Sequence, residues 1–282
     1  MASESSSVED DLQVVPIRHW GRWVVGALIL ALLAVLVVAL ADAQILYEDV
    51  PGFFTHEIML NGLVNTVVLA VCAQAGAIVL GVLLALLRRS PNPVARWFAW
   101  GYIWLFRGLP VLLQILLWFN LALVFKFISI PVPFTDAFVL HEPTNVLITA
   151  FVAALLGLGL NESAYMAEIV RAGLNSVDPG QIEAAKAIGM TPGKTFRRVV
   201  LPQAMRVIIP PTGNNFINML KGTSMASVIG FLELIHAANR ISSGNLEIME
   251  TLIAAALWYL IVVSVANVGQ YYLERAYGKG VR

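Results

Sequence analysis

The chain has 282 residues, 59% hydrophobic and 13% charged, with 18 Lys+Arg against 18 Asp+Glu and so a formal net charge of zero. Soluble domains carry about 25% charged residues, so lipid is the natural solvent for this composition; neutrality excludes the basic footprint of a nucleic-acid binder, and the abundance of apolar residues excludes a disordered chain. The single cysteine, Cys72, excludes an intrachain disulfide framework and a thiolate metal cage.

Residues 1–17, rich in Ser, Glu and Asp, read as a disordered tail. Trp23 to Ala41 is the first charge-free stretch, close to the 20 or so apolar residues that a crossing of roughly 30 Å of hydrocarbon needs. Arg18 and Arg22 before it and Ala41-Asp42-Ala43 at its end imitate a cleavable signal. The apolar core is longer than the usual run of about 7–15 residues, which makes it an uncleaved first span.

The second span, Ile58 to Leu87, is long enough to tilt and stops at Arg88-Arg89-Ser90-Pro91. A third runs from Trp97 to Phe125 with an interruption at Arg107-Gly108-Leu109-Pro110. A fourth starts near Val146 and carries Glu162 and Glu168 before Arg171. The fifth, Val207 to Leu232, reads as broken by Pro210-Pro211, Gly213 and Lys221, and the sixth is Thr251 to Tyr271. The expectation is an all-α membrane protein with six transmembrane helices.

Lys and Arg near span ends set orientation. Arg18 and Arg22, then Arg88, Arg89 and Arg96, then Lys186, Lys194, Arg197, Arg198 and Arg206, and finally Arg275, Lys279 and Arg282 share one side, against Lys126 and Arg240 on the other. Both termini and the 172–206 loop are therefore expected to be cytoplasmic. The chain divides into the 1–17 tail, an N-terminal helix and outer loop at 18–56, a core at 57–275 and a short C-terminal tail at 276–282.

Within the 172–206 loop, Asp178 reads as an N-cap with Pro179 at the first helical position and Gln181 three residues after the cap. Ile182, Ala185 and Ile188 fall on one face and Gly189 stops the helix. Thr191 and Pro192 start a second short helix, with Phe196, Val199 and Val200 leading to Leu201-Pro202. An apolar helical hairpin on the wet side of a membrane wants a protein partner.

Gly189 to Thr195 superficially imitates a nucleotide-binding loop, but it has three residues between glycines instead of four, one of them Pro192 without an N–H, and no preceding strand. The energy source is therefore expected on another chain. His19, His56, His141 and His236 lie far apart without metal-ligand spacing, so neither a metal site nor a catalytic site is expected.

Charges within spans need a partner or a water-filled route. Glu168 and Arg171, three apart on one helix, can pair and either position the loop or meet substrate. Glu162, beside Asn161 and Tyr165, has no basic residue three or four positions away. Its carboxylate suits an ammonium or guanidinium group, or a structural partner in Arg107 or Lys221. Asn214, Asn215, Asn218, Thr223 and Ser224 follow the prolines of span 5, as in broken helices that meet a zwitterion at mid-membrane; they serve equally well to bind neighbouring helices.

Glu183-Ala184-Ala185, with Gly189 four residues later and Val199-Val200-Leu201-Pro202 beyond, resembles the cytoplasmic signature of permease subunits of ABC importers. Phe106-Arg107-Gly108-Leu109-Pro110 with Leu113-Gln114, the run Ala164 to Arg171, and Asn215-Phe216-Ile217 with Lys221-Gly222-Thr223-Ser224 resemble the polar amino-acid branch, which imports glutamine, glutamate, histidine or arginine. Val199 stands where Ile is commoner, and Leu109 where Thr is usual. The resemblance covers about 57–275, a five-helix core to which the first span is an addition.

The resemblance implies a cell-membrane permease that moves polar amino acids inward by alternating access. It implies a dimer of ATPase subunits holding ATP and Mg, an extracytoplasmic binding protein, and a second permease, identical or a sister chain. Gln181, Glu183, Ala184, Ala185, Lys186, Gly189, Leu201 and Pro202 are then the coupling set. The rivals are a secondary transporter driven by an ion gradient, whose paired internal repeats are not visible, and a structural membrane protein, for which charges inside the spans have no use.

Overall fold

The computed structural model describes residues 20–131 and 138–277. The acidic tail at 1–17, Arg18, His19, Lys279 and Arg282 lie outside the described residues. Two compact units divide the chain after Ile45.

The first unit holds α1 (Trp20–Ala41), a helix of 22 residues with no buried position. At 1.5 Å per residue it measures about 33 Å, and its Val, Leu, Ile and Ala surround the whole circumference, as a lipid-facing helix requires.

The second unit begins with α2 (Val50–Phe54) and α3 (Glu57–Arg88). His56 caps α3 by accepting the Ile58 N–H on Nδ1 at 3.2 Å. Then come α4 (Pro93–Gly108) and α5 (Val111–Phe119), with a tight 3-10 turn at Asn120–Leu123. The third expected span is therefore not one straight rod. Its two helices meet at 101°, because Leu109, preceding a proline, is forced into an extended conformation (φ −99°, ψ 138°).

A β-hairpin follows, β1 (Phe127–Pro131) antiparallel to β2 (Phe138–Pro143), with Phe127 opposite Pro143 and Ser129 opposite His141. It corrects the all-α expectation: β-branched and aromatic side chains pair here, with the His141 ring stacked 4.9 Å from Phe127 and its Nδ1 2.7 Å from Ser129 Oγ. After α6 (Thr144–Leu147) comes α7 (Ala150–Asn175), the central helix. It packs most extensively on α3 and also touches α4, α5 and α10. Small residues permit this closeness: a Cβ added to Gly81 of α3 would lie 2.5 Å from Met166 Cβ of α7.

The chain continues through α8 (Pro179–Ala187), α9 (Pro192–Thr195), a π-turn at Phe196–Val200 and α10 (Leu201–Gly222). Two expectations fail here. Leu201-Pro202 does not end a hairpin: the π-turn widens the helix just before Pro202, at whose position no N–H donor is needed, and the helix runs on. Nor do Pro210-Pro211 break the span, since α10 is continuous through both prolines. Gln270 Nε2 donates to the Pro210 carbonyl at 2.8 Å and Thr212 Oγ1 to that of Ile208 at 2.7 Å, contacts that anchor the proline turn, while the carbonyls that the prolines deprive of a helical donor are those of Arg206 and Val207.

Regular α-helix gives way only afterwards, in a 3-10 segment at Thr223–Ile229 that turns at Gly230 (φ 75°). Then come α11 (Leu234–Asn245) and α12 (Ile248–Tyr277). Among the described residues four helices, α1, α3, α7 and α12, are long and apolar enough to cross a membrane, and five spans result if α4 with α5 counts as one. The remaining expected span, the fifth, corresponds to α10 and has the length of 22 residues, but Arg206, Lys221, three asparagines and three prolines keep it outside that apolar class.

The core is layered along the bundle. Leu69, Ile115, Leu158 and Leu220 fill its middle, Met59, Leu234 and Ala254 the α2/α11 end, and Ala85, Val177, Ala204 and Ile208 the α8 end.

Candidate coupling segment and polar path

Local chemistry builds α8. Asp178 Oδ1 accepts the Gly180 N–H at 2.6 Å, and Pro179 takes the first helical position. At the other end the Gly189 N–H bonds the Lys186 carbonyl at 2.9 Å and the Met190 N–H that of Ala185 at 3.0 Å. With Gly189 at φ 79° this completes a Schellman stop that a side chain with Cβ would strain.

The expected apolar face of α8 divides differently. Ile182 packs on the layer of Ala85, Val177 and Ala204 and Ala185 is buried, so the protein's own chain covers them. Ile188, past the helix end, is 78% exposed. Gln181, Glu183 and Ala184 are exposed with it, whereas Lys186, four residues after Ile182, borders the cavity on that residue's side. Ala185 is thus a seat for the helix, Gly189 its terminator, and Leu201 and Pro202 the start of α10.

The bend between α4 and α5 is held by amides. Gln114 Nε2 donates to the carbonyls of Phe106 and Leu109, both at 3.0 Å, and Asn161 Nδ2 donates to Phe106 at 2.6 Å. Tyr102 Oη adds bonds to the Leu160 carbonyl at 3.1 Å and Ser163 Oγ at 2.8 Å. The bend is thereby fixed to α7, and it presents Arg107 with its guanidinium carbon 5.0 Å from the Tyr165 ring centre. Arg107, Tyr165 and Glu168 border a cavity of about 430 Å³ with Trp100 and Trp104. Arg171 Nε and Nη2 both donate to Glu168 Oε2, at 2.9 and 2.6 Å, the one ion pair among the described residues.

Glu162 pairs with neither Arg107 nor Lys221. Its Oε1 accepts from Asn215 Nδ2 at 2.5 Å, which links α7 to α10. Asn214, Asn218 and Lys221, spaced four and three apart, form an exposed stripe of α10 beside this link. Thr223 and Ser224 hydroxyls return to the carbonyls of Leu220 and Lys221, both at 2.7 Å.

A clasp at the opposite end of the unit escaped the sequence reading. Glu233 is fully buried; it caps α11 by accepting the N–H groups of Ile235 at 2.9 Å and His236 at 2.7 Å, and it also accepts the Tyr259 hydroxyl at 2.9 Å. Thr66 Oγ1 accepts the Leu234 N–H at 3.2 Å, and Asn65 Nδ2 donates to the Leu232 carbonyl at 2.8 Å. Burial pushes the Glu233 carboxyl above the usual carboxylate range, against the pull of its three donors. An acid directly before the polar run 234–245 is the one signal that could have marked it.

Residues 77–279, from mid-α3 onward, match the family described as binding-protein-dependent transport system inner membrane components. The chain belongs to that family. It is 40% identical over 278 residues to the arginine transport system permease protein ArgU of Corynebacterium glutamicum, covering 98% of this chain and 86% of the relative. The glutamine transport system permease protein GlnP of Escherichia coli is 32% identical, covering 77% of this chain and 92% of the relative.

Among solved structures, an amino acid ABC transporter crystallised with histidines matches at a TM-score of 0.66 and 35% identity, over 78% of this chain and 94% of that one. The methionine ABC transporter MetNI, at 18% identity and a TM-score of 0.58 over 78% and 96%, shares the fold. These relatives are permease subunits of amino-acid ABC transporters, and this family member is a multi-pass membrane protein of the same kind. The family boundary falls inside α3, so the bend, the Glu162–Asn215 link, α8 and all of α10 lie within the matched residues.

Proposed function

We propose that the chain is the membrane-spanning subunit of an ATP-driven importer for a cationic amino acid, working by alternating access. The observation that carries the cargo assignment is Glu162: a carboxylate within the bundle whose bonded partner is the neutral Asn215, so its charge is not cancelled by a neighbouring cation. A guanidinium or ammonium group is the complementary ligand. The name of the arginine permease points to the same class of cargo.

In this reading the basic ends of the spans face the cytoplasm, as the positive-inside rule requires, and both termini lie there. A dimer of ATPase subunits binds ATP and Mg and engages the outward side of α8 through Gln181, Glu183, Ala184 and Ile188. An extracytoplasmic binding protein delivers substrate, and a second permease, identical or sister, completes the path. ATPase closure moves α8, and α7 and α10, which flank the segment, carry that movement to the Glu162–Asn215 link.

Competition for uptake among arginine, glutamine and glutamate tests the cargo. Arginine should compete most strongly; preference for glutamate would contradict the role of Glu162. Co-purification of an ATPase subunit separates this function from a secondary transporter, which needs none.

A further inference from the structure

At the α8 end, two cavities join. One, about 520 Å³, is bordered by Arg89, Lys186, Thr195, Ile182 and Met190. The other, about 790 Å³, runs between α3, α7, α10 and α12 past Val82, Ile78, Met205, Ile208 and Phe216. Leu86, Leu174 and Phe196 belong to both walls, so the two form one crevice. From Arg89 to Gln74 it follows α3 for about 22 Å, at 1.5 Å per residue.

Its chemistry is graded. The shaft is apolar, while the mouth holds two cations without a carboxylate partner among the described residues. Arg89 Nη1 donates to the neutral Asn175 Oδ1 at 3.0 Å. Thr195 is only 4% exposed, yet its hydroxyl has no hydrogen-bond partner, although a helical threonine ordinarily reaches a carbonyl of the preceding turn. Gln74, 5% exposed and with an unpaired Oε1, closes the deep end.

We propose that this crevice binds an anionic phospholipid, with one acyl chain along α3 and the phosphate held by Arg89, Lys186 and the Thr195 hydroxyl. Charge complementarity commits the site to a lipid. A free phosphate leaves the apolar shaft unfilled, and an apolar helix buries both cations unpaired. Because the mouth joins α3 and α7 to α8, an occupied crevice braces the seat of α8.

Native mass spectrometry of the full chain in detergent, supplied with equal phosphatidylglycerol and phosphatidylcholine, tests this without ATP or transport. The parent should retain phosphatidylglycerol preferentially. Arg89→Gln with Thr195→Val should lower that retention at least about fivefold, the scale of one lipid-facing cation. Arg89→Lys should preserve the preference, which separates lost charge from misfolding, and Val82→Trp should reduce retention of both lipids by filling the shaft. Equal retention of the two lipids by the parent, unchanged retention in either of the two disruptive variants, or displacement of phosphatidylglycerol by inorganic phosphate overturns the proposal.

Discussion

Asn215 Nδ2 lies 2.5 Å from Glu162 Oε1, across 53 residues of sequence, and joins α10 to α7. The neutral amide orients the acid without supplying a countercharge, so a cation arriving from the path can pair with it. Glu162→Gln should cut uptake of a cationic amino acid about tenfold or more, the scale of one charge-assisted hydrogen bond. Radiolabelled uptake in proteoliposomes measures it; uptake at the parent's rate removes Glu162 from the substrate path.

Gly213 is required by a close approach. A Cβ built there would collide with Gln270 Oε1, and the Gln270 amide is committed to the Pro210 carbonyl and to Glu274 Oε1. Gly213→Ala should destabilise the bundle by about 1–3 kcal/mol, as overpacking does. Adding Gln270→Ala should restore part of the lost unfolding temperature by removing the obstructing atom. A double variant no more stable than Gly213→Ala alone would place the strain elsewhere.

The bend between α4 and α5 depends on Gln114, whose amide serves two carbonyls that the broken helix leaves open. Gln114→Leu should cost about 1–3 kcal/mol for the buried carbonyl left without a donor. Gln114→Glu should also destabilise, since an ionised carboxylate cannot donate. Apparent unfolding temperatures of the purified variants measure both.

The Glu233 clasp has a signed pH dependence. Its carboxyl is raised by burial above the ordinary value, so the folded chain holds the proton more tightly than the unfolded one. This contribution is fully present below about pH 4.3, the unfolded value for glutamate, and declines as pH rises from there through the raised folded value. Glu233→Gln should flatten the part of the decline in unfolding temperature that begins as pH rises past the unfolded value for glutamate, while losing an acceptor for one α11 N–H. An unchanged slope would assign the pH response to another group.

Features made by neighbours in sequence were legible. Asp178-Pro179 opens α8 and Gly189 closes it because caps are local hydrogen bonds and a local φ. Arg107 to Pro110 marked a real break, although not its angle of 101°. Illegible were the consequences of distant partners: Gln270, 60 residues from Pro210, supports a helix that its prolines alone would suggest is broken. Ile182 and Ala185 offered an apolar stripe that periodicity cannot assign to an external partner or to the chain's own bundle, and here Ile182 packs on the bundle and Ala185 is buried. Glu233 is similar, since its burial depends on Tyr259 and on the cap of α11.

The central claim is that the outward side of α8 transmits ATP hydrolysis to the polar path. The most direct measurement is substrate-stimulated ATPase activity and uptake of the assembled transporter carrying Glu183→Lys, a reversed charge on the exposed side of α8. Loss of both, with the fold intact by unfolding temperature, is the predicted result. Stimulation and uptake equal to those of the parent would contradict it.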